Sequence, residues 1–177
     1  NGNTLTLDAW GSLEVKEGSN FTVCDCQYSG SGTGGTITSA ATYATFAIAS
    51  VRGNFTLESG SISGSKNGAV YVSGGNFTMT GGEITGNTGS QGVGVKVDSG
   101  SFLMTDGKIT GNTGSQGGGV YVASNGSFTM SGGEISGNKA NSEGGAVHVF
   151  DKDCQFFLYD GKITGNTSGD GGAIYLN

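Results

Sequence analysis

A phenylalanine that returns about every two dozen residues, always followed by an isoleucine at the same distance, restricts this chain more than any other feature. Phe55, Phe77, Phe102, Phe128 and Phe156 lie 22, 25, 26 and 28 residues apart, and Ile62, Ile84, Ile109, Ile135 and Ile163 each follow seven positions later. Because that second interval never varies, no insertion is accepted between the two segments, and a fixed corner must join them. A third apolar pair follows at variable distance: Val70/Val72, Val95/Val97, Val120/Val122, Val147/Val149 and Ile174/Leu176. Variation in the period therefore sits in two turns. Within each segment apolar and polar residues alternate, as in Phe77-Thr78-Met79, which is the pattern of a strand with one buried face. A unit this small cannot bury that face alone, but units stacked at about 4.8 Å pair every strand with its copies above and below. The chain is therefore expected to be all-β: a single parallel β-solenoid domain over residues 1–177, with three short strands per coil. Leu13/Val15, Phe21-Thr22-Val23, Ile37 and Phe46/Ile48 extend the frame towards the N-terminus. That predicts about six coils plus a leading partial one.

The turns account for 37 glycines in a chain without proline. Gly86-Asn87, Gly111-Asn112, Gly137-Asn138 and Gly165-Asn166 follow the isoleucines, and Gly and Asn are the residues that tolerate left-handed backbone angles. Stacked Asn87, Asn112, Asn138 and Asn166 can also hydrogen-bond along their column and satisfy backbone groups at the bend. Ahead of the third strand stand further glycine clusters, such as Gly117-Gly118-Gly119 and Gly171-Gly172. No Lys-Ser/Thr follows them, so they do not form a phosphate-binding loop. The residue before each isoleucine runs Ser61, Glu83, Lys108, Glu134, Lys162. Alternating charges at one position of a stack read as a register device, because a one-coil slip would set like charges side by side.

A formal charge of −6, from eight Lys plus Arg against fourteen Asp plus Glu, argues against a nucleic-acid partner. The longest apolar runs, such as Phe46-Ala47-Ile48, are far short of the roughly 20 residues of a membrane span. No cofactor motif is present. Cys24 and Cys26 fall about five coils from Cys154, or about 24 Å at the coil spacing. That is beyond the ~7 Å limit between bridged Cα atoms. The three thiols with only His148 nearby do not make a zinc site either.

Function is expected on outward positions. The third strand directs Tyr71, Lys96, Tyr121, His148 and Tyr175 outwards, a mostly aromatic column suited to stacking on sugar rings or anchoring a protein partner. Asp151 and Asp153, in an insertion with Lys152, are the only candidate cation ligands, and two carboxylates fall short of the six to eight oxygens calcium takes. A glycosidase needs two carboxyls about 5–9.5 Å apart in a cleft. Asp106 and Asp160 recur at one position but two coils apart, about 10 Å. Partial threonine ranks, Thr56/Thr78/Thr129 and Thr85/Thr110/Thr164, would suit ice binding, but the rank is one residue wide. The chain ends directly after a third strand, and solenoids need capped ends. The expectation is a piece of a longer chain or a unit that stacks end to end.

Phe128-Thr-Met-Ser-Gly-Gly-Glu-Ile-Ser-Gly-Asn138 and Gly144-Gly-Ala-Val-His-Val149 resemble the repeats of secreted and cell-surface parallel β-helix proteins, including adhesins of anaerobic bacteria. Gly144 to Val147 and Gly171 to Ile174 are also similar to half of the repeat in chlamydial polymorphic outer membrane proteins. The other half departs, with Ile-Thr-Gly-Asn in place of Phe-x-x-Asn. The resemblance implies a right-handed helix of the pectate-lyase-like class and an extracellular or cell-surface location. Because no set of residues meets the geometry of a catalytic site, the role expected is non-catalytic, structural or binding, towards a glycan or a host or neighbouring-cell surface protein. The alternatives are a polysaccharide-active enzyme and an ice-binding or filament-forming protein.

Overall fold

The structure, a computed structural model, describes residues 4–7, 12–24, 35–39 and 47–177. Phe46 and Cys26 lie outside these residues. The described residues form sixteen strands and no helix. These are β1 Thr4–Leu7, β2 Leu13–Val15, β3 Asn20–Val23, β4 Thr36–Ser39, β5 Ala49–Val51, β6 Asn54–Leu57, β7 Ser61–Ser63 and β8 Val70–Thr85. There follow β9 Val95–Thr110, β10 Thr113–Gln116, β11 Val120–Val122, β12 Ser127–Ser136, β13 Lys139–Glu143, β14 Val147–Val149, β15 Gln155–Thr164 and β16 Ile174–Leu176. No helix is long and apolar enough to cross a membrane among the described residues.

Every strand pairing is parallel, and the registers reproduce the sequence repeat. Phe21, Phe55, Phe77, Phe102, Phe128 and Phe156 are successive partners, as are Ile37, Ile62, Ile84, Ile109, Ile135 and Ile163. The third column runs Ala49, Val70, Val95, Val120, Val147, Ile174. The molecule is a parallel β-solenoid of about five turns, with the six phenylalanine rungs as its landmarks; the expectation of six coils plus a partial one counted rungs rather than the steps between them.

The interior follows from stacking like on like. Neighbouring Phe rings from Phe21 to Phe156 have centroids 4.7–5.7 Å apart, with the central pairs nearly parallel. These separations fall within the range of favourable aromatic pairs. Met79, Met104 and Met130 and the Ile and Val columns fill the rest of the buried core.

The corner between the Phe and Ile segments is continuous strand with a register irregularity, as at Met79/Thr80/Glu83 in β8 against β9. The glycine that recurs in every corner, Gly60, Gly82, Gly107, Gly133 and Gly161, has a positive φ of 72–109°, a conformation other residues rarely adopt. That recurrent left-handed residue holds the Phe-to-Ile corner in one shape.

A fourth short column was not expected. β10 pairs with β13, and the bridges Thr88 to Thr113, Gln91 to Gln116, Lys139 to Thr167 and Glu143 to Asp170 extend it in both directions. The signal for it was the verbatim repeat Asn87-Thr-Gly-Ser-Gln-Gly92 and Asn112-Thr-Gly-Ser-Gln-Gly117. Identical sequence in a turn means identical conformation, and identical conformations one coil apart can pair.

Candidate functional site

The third-strand column is built by simple register: Ser50, Tyr71, Lys96, Tyr121, His148 and Tyr175 are successive partners. Beside it passes the fourth column, brought close by glycines of positive φ. Gly117, at φ 56°, is typical, since a Cβ there would sit 2.9 Å from the Tyr121 Cβ. This tight return lays Gln91, Gln116 and Glu143 along the edge of the column. Gln91 Nε2 donates to Gln116 Oε1 at 2.9 Å and to the Tyr121 hydroxyl at 3.3 Å, and Gln116 Nε2 donates to Glu143. On the opposite edge Asp98 accepts from the Tyr71 hydroxyl at 2.9 Å and from Ser124 Oγ at 3.1 Å.

These walls correct the expectation of an open aromatic face. Tyr121 and His148 are only 2% and 1% exposed. The His148 ring meets Tyr121 and Tyr175 edge-on at 5.1 and 5.0 Å, and Phe150 lies against both Tyr121 and His148 at about 6 Å. Only Tyr71, Lys96 and Tyr175 keep partial access. Alternation along the strand places side chains on the outer face, but it does not say what else folds over that face.

Burial sets the electrostatics. The Tyr121 hydroxyl is pushed up to about 12 by burial, with Asp151 and Asp98 nearby adding to the effect. Tyr71 is also raised, by burial and by its hydrogen bond to Asp98. His148 is held below its usual value by burial, which the nearby Glu143 opposes. Neither ring nitrogen of His148 has a hydrogen-bond partner, and Nδ1 is 3.9 Å from Glu143 Oε2. The folded state therefore carries a neutral imidazole, whereas the unfolded chain takes a proton near pH 6.5. The stability that neutrality supports is complete above that value and is lost as pH falls through the depressed folded pKa. Urea midpoints measured between pH 7.5 and 5 should decline on acidification, and His148→Tyr, which installs the residue of the neighbouring coils, should flatten the slope. An unchanged slope in that variant would show that other groups set it.

The asparagine column lies at the turn after each Ile. The Oδ1 atoms of Asn112, Asn138 and Asn166 each accept the backbone N–H and the side-chain N–H of the Asn one coil before at 2.9–3.1 Å, and Asn87 Oδ1 accepts the Ser65 backbone N–H. Each Nδ2 also donates to an isoleucine carbonyl, that of Ile62, Ile84, Ile109 or Ile135. Asn87, Asn112 and Asn138 are fully buried.

Glu83, Lys108, Glu134 and Lys162 are register partners in that order, yet none forms a salt bridge within 4 Å among the described residues. They line a shallow trough of about 930 Å³ along the corner, together with Asp106. Asp106 and Asp160 each accept the N–H of the following glycine at 2.7 Å, the geometry of a turn cap. Asp153 is engaged by Lys152 Nζ at 2.8 Å, and Asp151 accepts from the Ser124 N–H at 3.3 Å. Among the described residues no group of three or more His, Cys, Asp or Glu is placed to hold a metal. Cys24 is disulfide-bonded and Cys154 is free, in agreement with the expectation that Cys154 bridges neither N-terminal cysteine.

At the Tyr71 end of the column lies a groove of about 490 Å³ lined by Ser50, Arg52, Tyr71, Ser73, Gln91 and Lys96 among others. The Lys96 ammonium lies over the rings of Tyr71 and Tyr121, 5.5 and 5.9 Å from their centroids. Arg52, at the lip, is paired with Glu14. Fold and groove together define a parallel β-solenoid with a lateral polar cleft. Comparison with known proteins finds no matching family model, no matching curated protein and no matching solved structure.

Proposed function

We propose that this chain is a non-catalytic binding scaffold of a secreted or cell-surface protein, adhesin-like in role, which uses the solenoid as a rigid rod and the Tyr71 groove as its ligand site. The observation that carries the reading is the groove itself. It is concave, walled by side-chain amides and hydroxyls, and floored by an aromatic ring, the combination that positions a polyhydroxylated ligand while covering its apolar face. The carboxylates that hydrolytic or eliminative chemistry would use are engaged in the scaffold: Asp106 and Asp160 cap turns, and Asp98 holds Tyr71 and Ser124. A glycan or a glycosylated surface protein of another cell is the proposed partner.

Retention of the labelled chain on a glycan array and on immobilised surface-protein extracts tests the reading. Wild type should be retained on a subset of glycans, and Tyr71→Ala should lose at least about tenfold of that signal, the scale of one well-placed aromatic contact. Absence of retention on every surface would reduce the chain to a spacer. Release of reducing or unsaturated sugar from the bound glycans would make it an enzyme.

A further inference from the structure

From the charge distribution around the Tyr71 groove we infer that its ligand is an anionic saccharide whose negative group is held at Lys96. The inference rests on the binding role proposed above and adds the chemical class of the ligand.

The chain carries fourteen acidic residues against eight basic ones, so a surface cleft sampled at random would be bordered mainly by carboxylates. The trough along the corner follows that balance, with Glu83, Asp106 and Glu134 against Lys108 and Lys162 among its lining residues. The Tyr71 groove does not: both Arg52 and Lys96 line it, and among the described residues no Asp or Glu does. A concave site with one sign of charge and a low-dielectric wall concentrates the opposite charge.

Of the two cations, Lys96 is the one left for a ligand. Arg52 already holds Glu14. Lys96 is half-buried and makes no salt bridge among the described residues; its neighbours are the Tyr71 and Tyr121 rings. Of the acids along the column, Asp98 is engaged with the hydroxyls of Tyr71 and Ser124, and Glu143 with Gln116. An ammonium fixed between two aromatic faces without a counter-ion is poised for an incoming anion. The rest of the lining argues for a sugar as the carrier of that anion. Ser50, Ser73 and Gln91 offer hydroxyl and amide partners, and the Tyr71 ring offers a flat face to the C–H side of a pyranose.

The test is an array on which each glucose-, galactose- and N-acetylhexosamine-based oligosaccharide is printed as a neutral, a carboxylated and a sulfated member. Wild type should be retained about tenfold more on the anionic members than on their neutral counterparts. That preference should shrink as NaCl rises from about 50 to about 500 mM, as screening requires. Lys96→Gln should abolish the preference and Lys96→Arg should keep it, with far-UV circular dichroism confirming that both fold; the salt titration of wild type reads the same property without any substitution. The carboxylated and sulfated members then report which anion is preferred. Equal retention on neutral and anionic members would overturn this inference while leaving the binding role intact. No retention on any member would remove the binding role, and this inference with it.

Discussion

Asn112→Ala should lower the unfolding free energy by roughly 2–6 kcal/mol, because it leaves at least two backbone groups without partners where water does not reach, each at about 1–3 kcal/mol. Asn112 Oδ1 accepts the Asn87 backbone N–H at 3.1 Å, and its Nδ2 donates to the Ile84 carbonyl at 3.0 Å. Both Asn87 and Asn112 are fully buried, so no solvent substitutes for the lost amide. The same change at Asn166, which is only half-buried, should cost about 1–2 kcal/mol, since water can reach the freed N–H of Asn138. Urea denaturation of the two variants checks the difference. Equal costs would mean that the column stabilises by turn geometry and not by satisfying buried groups.

The phenylalanine stack should show the same gradient for a different reason. Phe102→Ala is expected to cost about 3–5 kcal/mol, at the upper end of the range for such truncations. Its ring lies between Phe77 at 4.9 Å and Phe128 at 4.7 Å, so two stacking contacts vanish together. The cavity cannot close, because β9 is tied by parallel ladders to the coils on either side at their own spacing. Phe156 stacks on one described neighbour only, at 5.0 Å, and is half-buried. Phe156→Ala should therefore cost about half as much. Thermal and urea unfolding report both, and a central truncation no costlier than the terminal one would show that the stack relaxes along its axis.

These gradients bear on how a solenoid holds together. Each coil contacts only its neighbours, so stability is approximately a sum of intrinsic and nearest-neighbour terms. A central defect interrupts two interfaces and a terminal one interrupts a single interface. The proposed binding role would benefit from this construction, because the Tyr71 groove is assembled from several successive coils and its walls keep their spacing as long as those coils stay stacked. Acidification works against it locally, through the neutral His148 enclosed by Tyr121, Tyr175 and Phe150.

Much of this architecture is legible in the residues. The recurrence of Phe with Ile at a constant distance dictates stacked strands with a rigid corner, because side-chain alternation and turn preferences act over a few residues and repeat wherever the sequence repeats. The Gly-Asn turns and the alternating Glu83, Lys108, Glu134 and Lys162 follow from the same local rules. The fourth column was written there too, in the duplicated Asn-Thr-Gly-Ser-Gln-Gly, but as a turn whose pairing depends on the height of the loops.

Local rules end at the outer face. The sequence alone establishes that Tyr71, Lys96, Tyr121, His148 and Tyr175 share one side of one strand column. Which of them stays accessible was decided only by tertiary structure. The return of the chain at Gly117 and Gly144 and the placement of Phe150 cover Tyr121 and His148, while the coil spacing leaves Tyr71 and Lys96 at the side of a groove. Accessibility is a property of what packs over a residue from elsewhere in the chain, and the two-residue period that sets its direction carries no information about that cover.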